Sequence, residues 1–455
     1  MHLWMDVMRD LEHLMDNADA YLDAWVEGGV DGLVVGPLVF NSGKLLPGTR
    51  YVAAETGPAT LTFDPDPAVY ARFGVPAPAA PEPMPAARAR LERTLAAAKD
   101  RGLAVWIFQA QTGAGPGGPG HHLWDPQSLA ATCARMVDTL EHYPMADGAI
   151  MDGPEWGYEI APHHMNHRSY IFNDLPDSAA PMCAGLGYEY GALAAARDRL
   201  YQRLHHLRAA DIALHSPGGL MGALQLFGGD PDLAAWLQFR IESLTQYFRR
   251  VRDGLDSHMG RPVQLGVGPR SAAFAPLCGY DFRRLAEFVD VLLPKHYFWQ
   301  RGFDGLVGTV FRYVETLCEW NPGLSDGEAL AVVESLFGLV LPGVDDRADL
   351  ESALTGDFYD LIVTQETERA LAAVGDPARV VPWVDSGRAP HDGDPMSAAD
   401  LRQLLEAARG AGLERFLYHH HGNLTAGEWV VMSELCGRRW DARASQYRPP
   451  DQIVL

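Results

Sequence analysis

Two acids close the run "AIMDGPEW" and a third closes "VVPWVDS". Asp152 and Asp385 follow apolar residues directly, where a buried strand gives way to a loop, and Glu155 stands just beyond a Gly-Pro break. A carboxyl group held there can protonate a leaving oxygen, attack carbon or activate water. Other apolar runs end in a related vocabulary. Asp6 closes the first, Gln109 the third, and Arg270 follows "PVQLGVG". "LLPKHYFW" brings Lys295, His296, Tyr297 and Trp299, with Trp156 and Trp383 beside the acids. "RFLYHHHGN" ends in His419, His420, His421 and Asn423. Amides and imidazoles bind hydroxyl groups, and Trp and Tyr offer flat faces to the C–H side of a sugar ring. The mixture predicts carbohydrate chemistry. Successive strand residues alternate faces, so His419 and His421 are expected to share one side and His420 the other. That favours hydroxyl binding over a metal site, and neither metal nor cofactor is expected.

The elements that must position these residues recur along the chain. Apolar runs at 2–6, 31–40, 103–110, 147–152, 262–268, 290–298, 379–386 and 415–423 alternate with segments of helical periodicity. Asp125 followed by Pro126 predicts an N-cap and first helical turn. Eight strand–helix units predict a (β/α)8 TIM barrel with long βα loops, whose site lies at the C-terminal ends of the strands. Residues 1–440 read as one barrel with long insertions at 41–85 and 153–190, and 441–455 as a tail. No GxGxxG opens a helix after a strand. "GAGPGGPG" (113–120) has neither the Lys-Ser/Thr nor the free amides of a phosphate cradle. "HHMNH" (163–167) falls in a predicted loop.

The chain has 455 residues and a net charge of −22, which disfavours binding to nucleic acid or an anionic membrane. No apolar run is long enough to cross a bilayer. The N-terminus lacks a basic, then apolar, leader, so the cytoplasm is the expected location. Five scattered cysteines form no CxxC pair and read as reduced thiols. A small-molecule carbohydrate is the expected partner, and the sequence leaves the oligomeric state open.

The chain resembles glycosyl-hydrolase-like (β/α)8 proteins related to the large retaining-glycosidase clan. The resemblance lies in the order of elements and in three segments: "ADGAIMDGPEW", the helix "AWLQFRIESLTQYFRRVRDGL" with Trp236 and Arg240 four apart, and "RFLYHHHGNLT". It implies a glycoside hydrolase with an acid/base Glu after strand four and a nucleophile ending strand seven. Glu155 takes the first role, Trp156 being an apolar flank that would favour its protonated form. Asp385 takes the second, where the clan pattern has Glu, and Asp152 is the substitute. Three other readings remain open. Lys295 could form an imine in a Schiff-base aldolase. Asp, Glu and His at strand ends could serve a divalent-metal isomerase or hydrolase, although strand one lacks a His-x-His pair. The barrel could also bind sugar without turning it over.

Overall fold

A computed structural model describes residues 1–7, 11–36, 39–40, 60–61, 63–79, 85–109, 123–161, 170–388, 391 and 393–450. Its main sheet is parallel throughout. The strands are β1 (His2–Asp6), β2 (Val30–Val35), β3 (Ala104–Gln109), β4 (Gly148–Met151), β5 (Gln264–Val267), β6 in two pieces (Val291–Leu292 and Lys295–His296), β7 (Trp383–Val384) and β8 (Arg415–Tyr418). β1 pairs with both β2 and β8, and pairing continues through β3, β4 and β5 on one side and β7 on the other. The first piece of β6 pairs with β5 and the second with β7. A bridge from Leu292 to Val380 and a hydrogen bond from the Trp383 amide to the Pro294 carbonyl join the two pieces to one neighbour. The sheet therefore closes on itself as the expected (β/α)8 barrel.

Strand existence matches the apolar runs, but several strands are shorter than the runs. Pro294 has no amide hydrogen and divides β6. The run 31–40 yields β2 only to Val35. Val39–Phe40 instead forms a small antiparallel ribbon with Thr60–Leu61. At 380–385 the strand proper is only Trp383–Val384, behind Pro382, with Val380 joined by a single bridge.

Helices pack outside the barrel: α1 (Ala18–Glu27), α2 (Pro85–Asp100), α3 (Pro126–His142), α4 (Pro231–His258), α5 (Phe282–Ala286), α6 (Leu306–Trp320), α7 (Thr364–Val374), α8 (Ala398–Gly410) and α9 (Ala426–Cys436). Asp125 caps α3 as its sequence implies, accepting from the Gln127 and Ser128 amides. Capping boxes start α8 and α9. Inside the barrel, Trp4 meets Trp106 with centroids 5.1 Å apart. Gly32 makes room for this pair, since a Cβ there would stand 2.3 Å from the Trp4 ring. The β4–α4 connection carries helices at Ala180–Gly185, Tyr190–Leu204, Ala209–His215 and Gly219–Leu226. Tyr447 in the C-terminal segment is fully buried against Trp25, Trp429 and His421. Among the described residues no helix is long and apolar enough to cross a membrane.

Candidate active site at the barrel mouth

Asp152 follows β4 and pairs with Lys295 on β6, Oδ1 to Nζ 2.7 Å. Nearly a third of the Asp152 side chain is exposed, whereas Lys295 is buried. Burial, then Arg270, lowers the Lys295 amine from its ordinary range, and Asp152, Asp304 and Glu155 oppose this. The ammonium also lies 5.5 Å from the centroid of the Trp383 ring.

Glu155 belongs to a second ion-pair group. Both its oxygens accept from Arg270 Nε (2.9 and 3.0 Å), and Oε1 accepts from Nη2 at 2.6 Å. Arg270 Nη1 reaches Asp304 Oδ1 at 2.8 Å, and the guanidinium lies 5.1 Å from the Tyr158 ring centroid. Burial opposes the charge on Arg270, but Asp304 and Glu155 outweigh it and hold the guanidinium firmly protonated. Such a carboxylate, gripped along both oxygens, suits an anchor better than a free proton donor.

Trp156 departs from the expected place. Its indole is buried in the helix layer, where Nε1 donates to Ser243 Oγ at 3.0 Å and Arg240 stands 5.7 Å from the ring. It does not line the mouth. The reason is the spacing seen on α4. Arg240 Nη1 pairs with Asp174 at 3.0 Å, Nε donates to the Leu277 carbonyl at 2.8 Å, and Nη2 donates to the Gly157 carbonyl. One buried guanidinium thereby ties the β4 loop to the β5 loop. Asp174 also accepts from the Gly157 amide at 2.7 Å, while burial pushes its carboxyl up to about 6 against the pull of Arg240. Glu366 on α7 holds the β5 loop from the other side by accepting from the Ala272 and Ala273 amides.

The far side of the mouth is richer in histidine than alternation allows. His419 Nδ1 bonds Asp6, and its ring stacks on Trp383 at 5.0 Å and 7°. His420 takes φ +63°, a left-handed conformation worth about 1–2 kcal/mol of strain in a non-glycine residue. That turn ends the pleat and brings the His420 ring to 3.5 Å from His419. The expected pairing of His419 with His421 is thus corrected. His421 points into the C-terminal packing, with Nε2 2.9 Å from the Tyr447 hydroxyl and its ring 4.9 Å from Trp25.

Asp385 follows β7 and is buried. Oδ1 accepts from the Gly387 amide at 2.7 Å, and Oδ2 lies 3.7 Å from His391 Nε2. Burial pushes the Asp385 carboxyl up to about 7, against His419 and the Gly387 amide. Tyr297 sits at the centre. Its ring stacks on Trp299 at 4.8 Å and lies 5.3 Å from His391. Burial, then the charges of Asp385, Asp152, Asp304 and Asp6, holds the phenol well above its ordinary range.

The aromatic faces are covered in this arrangement. Trp383 lies beneath His419, and Trp299 is fully buried with Nε1 donating to the Phe303 carbonyl at 2.7 Å. His296, expected at the mouth, is a core residue. It is wholly buried near Phe298, neither ring nitrogen has a hydrogen-bond partner among the described residues, and burial lowers it to about 3. Alternation explains this: Lys295 faces inward, so its neighbour faces the helices. Gln109 is buried at the end of β3. Asn423 is buried in the turn after β8, where its carbonyl accepts from Arg388 at 3.2 Å. The segments 113–120 and 163–167 lie outside the described residues.

Three members of the site are not strand ends. Asp304, at φ +64°, and His391 come from loops, and His420 comes from the broken pleat. An Asp-Gly step at 304–305 signals a turn in the sequence. Nothing in "APHDGD" announces that His391 returns to the barrel axis.

No protein-family model and no curated protein matches the chain. Among solved structures it is similar to the PgaB (BpsB) glycoside hydrolase domain from Bordetella bronchiseptica, at 12% identity over 95% of this chain and 98% of that one, with a TM-score of 0.47. It is also similar to GH5_18 from Streptomyces cattleya in complex with GlcNAc (14% identity, 98% and 82% covered, TM-score 0.44). A third is the Ostrinia furnacalis Group IV chitinase (10% identity, 96% and 99% covered, TM-score 0.43).

Proposed function

We propose that the barrel mouth hydrolyses a glycosidic bond, with Asp152 as its reactive carboxylate. The observation that carries this reading is the contrast between Asp152 and the other two strand-end acids. Asp152 keeps an exposed face while paired with Lys295. Glu155 is bound along both oxygens by Arg270, and Asp385 is buried.

The roles differ from those the resemblance implied. Asp152 attacks the anomeric carbon or activates a water molecule. Asp385, which burial biases toward its protonated form near neutral pH, is the group able to protonate the leaving oxygen. Glu155 anchors Arg270 and so fixes the β4 and β5 loops around the substrate. Lys295 orients Asp152 by their ion pair. The substrate class is carbohydrate, as the acid-rich mouth of a (β/α)8 barrel supports.

The test is a panel of nitrophenyl glycosides and natural oligosaccharides, run on the wild type, Asp152→Asn and Glu155→Gln. On the best substrate Asp152→Asn is expected to lose about 10²–10⁴-fold in rate. If folded Asp152→Asn keeps full activity, the reading fails.

A further inference from the structure

Four buried side chains at the mouth converge more tightly than carbohydrate chemistry requires. One donor atom from each of Asp385, His391, His419 and His420 lies within 4.8 Å of every other. We propose that these residues form a site for a borderline divalent transition metal, zinc being the ion whose ligand preferences they match. Three imidazoles and one carboxylate are a four-coordinate zinc donor set.

Three further observations support a site built for an ion. Asp385 Oδ2 is fully buried and makes no hydrogen bond among the described residues. Its separation from His391 Nε2, 3.7 Å, is too long for a hydrogen bond. It is close to the edge of about 3.4 Å between two ligands of a tetrahedral zinc with bonds of about 2.0–2.1 Å. Second, Asp6 engages His419 Nδ1. A proton shared there leaves Nε2 as the lone-pair nitrogen, which is the carboxylate–histidine–metal arrangement that fixes a ligand's tautomer and orientation. Third, the left-handed turn at His420 sets two consecutive histidines on one side of the strand, which a regular pleat forbids. Asp385 and Asp6 together offset the ion's two charges.

The site does not rest on the hydrolase reading and stands if that reading fails.

The experiment uses the full chain, stripped by a chelator, dialysed against excess zinc or Co(II), and freed of loose ion by gel filtration. One tightly held equivalent per chain is expected, with the visible absorption of tetrahedral Co(II). Asp385→Asn and His391→Ala should lose that equivalent and that band while keeping the wild-type circular dichroism spectrum. If Asp385→Asn does not fold, His391→Ala alone carries the comparison. Asp6→Asn should keep the stoichiometry but bind about 10–100-fold more weakly, which a purely packing role for Asp6 would not produce. The proposal is overturned if the wild type retains no ion. It is equally overturned if His391→Ala and His420→Ala both retain a full equivalent, which would place the ion elsewhere.

Discussion

Replacing Arg270 by Met separates the structural from the chemical part of the mouth. The guanidinium is almost completely buried and neutralises two acids at once, Glu155 at 2.6 Å and Asp304 at 2.8 Å. Removing one partner of a buried ion pair costs about 3–5 kcal/mol, because the other charge stays behind uncompensated. Unfolding entropy of about 2.1 cal/mol/K per residue over 455 residues makes each kcal/mol worth about 1 °C in Tm. Arg270→Met should therefore melt about 3–5 °C below the wild type in calorimetry. The deficit should depend on pH with a definite sign. A carboxylate buried without its cation takes up a proton more readily in the folded state than in the unfolded chain. The native variant then binds more protons, so its stability falls as pH rises and recovers as pH falls. The gap to wild type should narrow between about pH 8 and about pH 5. A melting point within about 1 °C of the wild type, or an equal gap at both pH values, would refute the argument that this ion-pair group is what holds Glu155.

Two other outcomes follow from the same packing. Burial raises Glu366 from its ordinary 4.5 to about 7, so the folded protein holds a proton that the unfolded chain has released and loses stability as pH rises through that window. Glu366→Gln cannot titrate, and calorimetry should show it gaining about 3 kcal/mol on the wild type from the bottom of that window to the top, at about 1.4 kcal/mol per pH unit. Gly279, at φ +87°, leaves no room for a Cβ, which would stand 2.7 Å from both the Arg240 carbonyl and the Trp156 ring. Gly279→Ala should destabilise by at least about 2 kcal/mol, measured as a fall in Tm, with loosened attachment of the β4 and β5 loops.

The order of strands was legible because each barrel strand is an apolar run bounded by turn residues. "LAVWIFQA" and "DGAIMD" became β3 and β4 almost unchanged. The acids that close those runs were legible for the same reason, since a strand end in this fold faces the site. What sequence reading misplaced depends on backbone geometry or on contacts distant in sequence. The pleat rule put His420 outside and His421 inside, and one left-handed residue reversed them. Trp156 looked like a flank for Glu155, but Arg240, far along the chain on α4, draws that segment into the helix layer. Asp304 and His391 reach the centre from loops whose paths only the folded chain defines.

The central claim is that Asp152, not Glu155, does the chemistry. It is tested most directly by turnover of Asp152→Asn beside Glu155→Gln on the best glycoside found, with both variants checked for wild-type folding by circular dichroism. Loss of a catalytic carboxylate removes about 10²–10⁴-fold in rate. Asp152→Asn should fall by that amount and also melt below the wild type, because the buried Lys295 loses its partner, while Glu155→Gln should lose stability and only a smaller part of its activity. Full turnover by folded Asp152→Asn, with Glu155→Gln inactive, would contradict the account.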